Sequence, residues 1–169
     1  MPAIEVDALE DTAVIQGFFQ INELHDDGVL GITLGVANAT ADFEEGSLNG
    51  VANNFATYET TGCTENLANC TGNYSDGMDG SLLISGTITG DGFDYNINGE
   101  LSGVDESDDG TEFDFTANIN TDGAGTFGII DYNLVAIGTG NVSVELKSAG
   151  QEDPNLTLQG VLYLEEGPS

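Results

Sequence analysis

The chain has 169 residues and a mass of 17.5 kDa, which is the size of a single domain. It carries 30 Asp and Glu residues against one basic residue, Lys147, so its net charge is −29. This charge excludes nucleic-acid binding by phosphate neutralisation, and it disfavours phosphate chemistry that needs Arg or Lys and adsorption to anionic membranes.

The acidic residues are spread along the whole chain, and 39% of all residues are hydrophobic, which is enough for a core. A folded chain with this charge repels itself, and dissolved salt screens that repulsion. The composition therefore predicts a protein from a marine or hypersaline organism. The alternative is a protein that binds many divalent cations.

Hydrophobic and polar residues alternate with a period of two along most of the chain, which is typical of half-buried β-strands. In 92–101, for example, Phe93 and Tyr95 lie on one face, while Asp94 and Asn96 lie on the other. In chain order, the predicted strands cover residues 13–21, 29–43, 47–55, 80–89, 92–101, 111–119, 126–137, 141–147 and 155–164.

Short segments rich in Gly and acidic residues separate these strands and predict turns at 44–46, 90–92, 105–110 and 121–125. Short connections favour neighbouring antiparallel strands, and glycines inside strands favour the coiling that closes a barrel. We predict an all-β protein, an antiparallel up-and-down barrel of eight or nine strands over residues 13–165, with a β-sandwich as the alternative. Residues 1–12 form an amino-terminal extension and residues 166–169 a carboxy-terminal tail in this prediction.

One long segment, 56–79, lacks the alternating pattern and is predicted to be an irregular loop. It contains Cys63 and Cys70, which are too few ligands for a closed zinc site. A disulfide that braces this loop is the preferred interpretation, and it implies an oxidising compartment; two free thiols are the alternative.

The chain also contains more Asn-x-Ser/Thr sequons than its composition explains, which favours a secreted glycoprotein. The candidate glycosylation sites are Asn38, Asn69, Asn73, Asn141 and Asn155.

Two hairpin patterns resemble a known family. Residues 41–55 are similar to the D-F-x-x-G-x-(L/V)-x-G hairpin of bacterial surface lipoproteins of the transferrin-binding-protein-B barrel type, and residues 80–99 resemble the hairpin that follows it. The resemblance covers residues 29–165. A Pro-containing turn of the family is replaced here by residues 129–133. The resemblance implies an eight-stranded barrel, exposure at the cell surface and a binding role.

Candidate chemistry is sparse. His25 stands beside Asp26 and Asp27, but the chain has no Gly-x-Ser-x-Gly nucleophile elbow, so we predict a solvated His and no enzyme. Asp105, Ser107 and Asp109 match the first half of an EF-hand loop. Because the twelfth position is Thr rather than Glu, an acidic hairpin turn is preferred over a calcium site. No other cofactor is predicted.

These observations predict a non-catalytic extracellular or cell-surface binding protein, either secreted or an outer-membrane lipoprotein whose anchor is absent from this chain. It would present loops, chiefly 56–79, to an unidentified protein or small ligand, and its charge favours cationic or metal-loaded partners. One alternative is self-association into an extracellular filament or surface layer, with an unpaired strand at 13–21 as the donor. Another is a calcium-binding adhesin domain.

Overall fold

The computed structural model describes residues 12–25, 28–61, 71–106, 112–146 and 157–166. These residues form nine antiparallel strands: β1 (Thr12–His25), β2 (Gly28–Asp42), β3 (Ser47–Thr61), β4 (Thr71–Gly77), β5 (Asp79–Thr89), β6 (Gly92–Glu106), β7 (Glu112–Ile130), β8 (Asn133–Leu146) and β9 (Thr157–Glu166). None of the described residues belongs to a helix with the length and apolar character that crossing a membrane requires.

Eight strands close into a barrel. The ring runs β1–β2–β3–β5–β6–β7–β8–β9, and β9 pairs with β1 again. The predicted up-and-down barrel is confirmed and the β-sandwich alternative is wrong, because a sandwich leaves two separate sheets. The barrel begins at Thr12 and ends at Glu166, one residue beyond the predicted domain at each side.

The predicted donor strand at 13–21 is not unpaired. These residues belong to β1, which is hydrogen-bonded to β2 on one edge and to β9 on the other. Strand addition at this position would break pairing that the barrel already uses.

The predicted irregular loop 56–79 is also too long. β3 continues to Thr61, and β4 pairs with this extension, with Tyr58 opposite Tyr74. Thr and Tyr favour extended backbone even without strict alternation, which explains the error. Residues 62–70, with both cysteines, lie outside the described residues.

The barrel is narrow and its interior is filled. Following the pairing from Ile21 once around the ring leads back to β1 at Ala13, eight residues away. This offset of eight residues is the shear of the barrel. In a barrel of eight strands and shear eight, the strands are tilted by about 36° from the barrel axis, and their inward side chains fill the enclosed space. The core is aliphatic and aromatic; its large fully buried members include Phe19, Phe55, Leu82, Tyr95, Ile97 and Leu162.

Inward-facing glycines make room for the aromatic rings of this core. Gly123 and Gly138 lie under the ring of Tyr95, and Gly125 lies under Phe93. This explains why the turn predicted at 121–125 is wrong: the glycines there belong to the middle of β7, and a Cβ at those positions would collide with a ring.

The actual β7–β8 turn lies at Asp131 and Tyr132, inside the strand predicted at 126–137. Both residues have positive φ, 51° and 70°, as a two-residue type I′ hairpin requires. This turn is Asp-Tyr rather than the Asn-Gly pair that is typical of such hairpins, so the sequence pattern did not predict it.

We expect Asp131→Asn/Tyr132→Gly to raise the free energy of unfolding by about 1 kcal/mol, because Asn and Gly adopt left-handed backbone at lower cost. Tyr132 is 99% exposed, so the substitution removes no packing. Urea denaturation of the two proteins measures the difference. An unchanged or lower midpoint would contradict the backbone argument.

Candidate functional site

The two ends of the barrel differ in their connections. At one end, the long-loop end, lie the connections β1–β2, β3–β4, β6–β7 and β8–β9, which include residues 62–70 and 147–156. At the other, the tight-turn end, lie the turns β2–β3, β5–β6 and β7–β8. Thr12 and Glu166 also lie at the tight-turn end, since β1 starts and β9 finishes there.

Local chemistry explains the tight turns. In the β2–β3 turn, Oδ1 of Asp42 accepts hydrogen bonds from the backbone N–H groups of Glu44 (3.1 Å) and Glu45 (3.0 Å). Gly46 then takes positive φ, 74°, and its N–H donates to the carbonyl oxygen of Asp42 at 2.8 Å. The turn predicted at 44–46 is confirmed, as is the one around Gly90, whose φ is 63°.

Two of the predicted site residues, His25 and Asp105, belong to the described part of the chain and lie at the long-loop end. His25 is the last residue of β1, and Asp105 is next to last in β6, where it pairs with Phe113. Cys63, Cys70, Ser107 and Asp109 lie outside the described residues, so the disulfide and the calcium triad remain predictions. Within the described part of the chain, no group of three or more His, Cys, Asp or Glu residues is arranged to hold a metal ion.

The candidate glycosylation sites divide in the same way. Asn38 on β2 and Asn141 on β8 are exposed on the outer face of the barrel, and Asn73 lies in β4. Asn69 and Asn155 lie outside the described residues. Because residues i and i+2 of a strand share a face, Thr40 and Ser143 of the two exposed sequons also point outward.

Burial perturbs Glu23, an ionisable residue of β1 near the long-loop end. It shares the inward face of β1 with Phe19 and Ile21, and its backbone pairs with Gly31 and Leu158. Burial removes water from the carboxylate and raises the pKa of Glu23 above the ordinary value of 4.5. The alternating pattern contains a signal for this position, because Glu23 falls on the same parity of β1 as the buried Ile15, Phe19 and Ile21.

We expect Glu23→Gln to raise the melting temperature at about pH 7, because the folded state then no longer holds a partly buried charge. The destabilising effect of Glu23 is complete above its raised folded-state pKa and vanishes as the pH falls towards 4.5, where the unfolded chain also becomes protonated. The difference between the two proteins should therefore shrink on acidification. Glu45→Gln, in an exposed turn, is the control; a difference independent of pH would contradict the assignment.

Among the residues that the structure describes, two buried hydroxyl groups have no hydrogen-bond partner, namely those of Tyr95 and Thr121. Tyr95 is 2% exposed and Thr121 is 0% exposed. Burial raises the pKa of Tyr95 to about 12 from its ordinary value of 10.0. Such groups cost free energy when they leave water without a partner, so the described core is less stable than an all-apolar one.

We expect Tyr95→Phe to leave the fold intact and to raise the free energy of unfolding by about 1 kcal/mol. The wild-type protein should also lose stability as the pH rises from 10.0 to about 12, because unfolded Tyr95 ionises in this range while folded Tyr95 keeps its proton. The variant should lack this contribution. Parallel slopes of stability against pH for the two proteins would refute it.

The outer surface of the barrel has two contrasting sides. The side formed by β2, β1, β9 and β8 carries a cross-strand row, Val36–Phe18–Tyr163–Ile137, with Leu34 and Val161 beside it; we call these six residues the apolar wall. The opposite side, on β6 and β7, carries amides and carboxylates: Asp94, Asn96, Asn98, Glu100, Asn118, Asn120 and Asp122. The side chain of Asn96 donates a hydrogen bond to Asp122 there.

Phe18 and Phe19 are consecutive aromatic residues of β1. The structure separates them. Phe19 is fully buried, whereas Phe18 faces outward and stacks on Tyr163 with 5.6 Å between ring centroids. Apolar residues at both parities of β1 and β2 are the sequence signal for the apolar wall, and a pattern of strict alternation does not predict it.

Comparison of the chain with models of known protein families, with characterised proteins and with solved structures gave no match.

Proposed function

We propose that this chain is a non-catalytic binding protein of the cell surface or extracellular space, and that its long-loop end receives a protein or small ligand. The observation that carries the proposal is the asymmetry of the barrel. Three of the four connections at the long-loop end span five or more residues (62–70, 107–111 and 147–156), whereas the turns at the other end span two to four residues. Binding residues are concentrated on loops that a rigid scaffold positions.

The filled interior supports a ligand that binds outside the barrel. Phe19, Leu82 and Leu162 are 0% exposed, and the aromatic rings occupy the space above the inward glycines. A barrel of this width holds side chains rather than a separate molecule. The ligand would therefore contact loop residues, and shape and loop chemistry would determine affinity.

The position of the strand ends supports display at a surface. Thr12 and Glu166 lie at the tight-turn end, so a tether attached to either of them would hold the long-loop end away from the point of attachment. The resemblance of residues 41–55 and 80–99 to lipoproteins of the transferrin-binding-protein-B barrel type agrees with this arrangement. No specific observation favours the filament or the adhesin alternative over this proposal.

The test compares the two ends of the same barrel. One variant replaces residues 62–70 with a Gly-Ser segment of equal length, and its control replaces Glu44 and Glu45 with Ser at the tight-turn end. Each protein is tethered through residue 166 and exposed to the culture medium of the source organism, and retained molecules are identified by mass spectrometry. A species retained by the wild type and the control but lost from the loop variant supports the proposal. Equal retention by all three proteins, or loss from the control alone, would refute it.

A further inference from the structure

We propose that the apolar wall is a second interaction surface, separate from the long-loop end, and that its partner is a basic protein surface with an apolar centre. Val36 and Ile137 are 46% and 41% exposed, and between them lie Phe18 and Tyr163, whose rings stack with 17° between their planes. Each residue of this row is the cross-strand neighbour of the next, so the row forms a continuous strip across four strands.

The absence of charge on this strip is informative in so acidic a chain. No charged residue stands in either of the two neighbouring outward rows, Val36–Phe18–Tyr163–Ile137 and Leu34–Gln20–Val161–Thr139, although the chain has 30 acidic residues. Outward positions on β6 and β7, by contrast, hold Asp94, Glu100 and Asp122. Protein interfaces show this pattern, since charged residues are depleted at the centre of the contact and aromatic residues are enriched there.

The carboxylates near the strip indicate which charge the partner carries. Glu165 lies two residues beyond Tyr163 and accepts a hydrogen bond from its hydroxyl group at 3.0 Å. Asp42 and Glu44 lie at the tight-turn end of β2, and Asp131 lies in the β7–β8 turn next to β8. Glu165 is thus an acidic neighbour of the apolar wall, and Asp42 and Asp131 lie six residues along the chain from Val36 and Ile137, towards the tight-turn end. Lys or Arg residues around an apolar centre would complement these carboxylates.

The same charges disfavour two other occupants. A second copy of the chain would bring a net charge of −29 against −29, with acidic edges close to each other; like charges across an interface cost several kcal/mol. A lipid surface with anionic head groups would meet the same repulsion. A basic protein with an apolar centre complements both the apolar wall and the carboxylates beside it.

The probe for the test is a synthetic peptide of alternating Leu and Lys, which as an extended strand presents one apolar and one basic face. Its control, alternating Ser and Lys, has the same charge and no apolar face. We expect calorimetry at about 0.15 M salt to show binding of the first peptide and at least tenfold weaker binding of the second. In NMR spectra, amide shifts should map to β1, β2, β8 and β9.

The matched protein variants are Val36→Ser/Ile137→Ser and Leu83→Ser. Leu83 is also an outward strand residue, 67% exposed, but it lies on β5 outside the apolar wall. The double variant should bind the Leu-Lys peptide about tenfold more weakly, whereas Leu83→Ser should leave the affinity unchanged. If the double variant fails to fold, Val36→Thr/Ile137→Thr keeps the branched shape and replaces it.

Several outcomes would overturn the proposal. They are equal binding of the two peptides, equal weakening by Leu83→Ser, and amide shifts confined to β5–β7. If the wild-type chain sediments as a dimer and Val36→Ser/Ile137→Ser dissociates that dimer, the occupant of the apolar wall is a second copy of the chain. Wild-type binding to phosphatidylcholine vesicles that the same variant abolishes would assign it to lipid. None of these outcomes bears on retention by the long-loop end, so this proposal and the proposed function fail independently.

Discussion

Replacing Gly17 with Ala is expected to lower the free energy of unfolding by about 3 kcal/mol. Gly17 faces inward on β1 opposite Leu164 of β9. A Cβ at this position would lie 2.8 Å from the carbonyl carbon of Tyr163, closer still to the carbonyl oxygen, and 3.1 Å from Cα of Leu164. These atoms belong to the backbone, so the contact is relieved only if β1 and β9 move apart.

Gly92→Ala is the matched control for this substitution. Gly92 is also a strand glycine, but the nearest atoms to an added Cβ are 3.6 Å away, which is ordinary contact. Urea denaturation at constant salt should give a large loss for Gly17→Ala and a change within about 0.5 kcal/mol for Gly92→Ala. Similar losses in both proteins would show that backbone crowding between β1 and β9 is not the cause.

The second large effect concerns the contact between Tyr95 and Gly123. Tyr95→Ala is expected to cost about 4 kcal/mol, because it empties a fully enclosed part of the core. Gly123→Ala alone should cost about 3 kcal/mol, since the added Cβ would lie 2.5 Å from the hydroxyl oxygen of Tyr95 and 2.6 Å from Cε1 of its ring. In the Tyr95→Ala protein, however, the same glycine substitution should cost less than about 1 kcal/mol.

A double-mutant cycle measures this dependence as a coupling energy of about 2 kcal/mol or more. If Tyr95→Ala does not fold, Tyr95→Leu keeps part of the volume and removes the far end of the ring. Additive effects of the two substitutions would mean that Gly123 is required for the backbone of β7 rather than for the ring. Denaturation of all four proteins is measured at high salt, because screening of the net charge stabilises the folded state.

The fold class followed from alternation, and residues 92–101 show why. Phe93, Tyr95 and Ile97 are buried, while Asp94 and Asn96 are exposed, as the pattern predicts. Closure of the barrel followed from short connections and strand glycines. The turn predicted at 121–125 is wrong because glycine has two structural uses. Gly123 and Gly125 are turn formers in other settings, and here they accommodate aromatic rings in mid-strand.

The candidate sites were less predictable, for related reasons. The sequence shows which residues stand between strands, but it does not show that four connections share one end until strand order and direction are known. The alternation places Glu23 on the inward face of β1, but the degree of its burial depends on β2 and β9, which pair with β1 on either side. The apolar wall depends on cross-strand register, which brings Val36, Phe18 and Tyr163 together from distant parts of the chain.

The first and last strands, β1 and β9, are neighbours in the ring, so the chain can be circularly permuted. Ile15 pairs with Glu166, so a short linker joins residue 166 to residue 12 without crossing the barrel. New ends opened between Gly90 and Asp91 would interrupt one two-residue hairpin and no strand pairing. Such a circular permutant would keep every ladder of the ring, and its folding would show that the topology is independent of where synthesis begins.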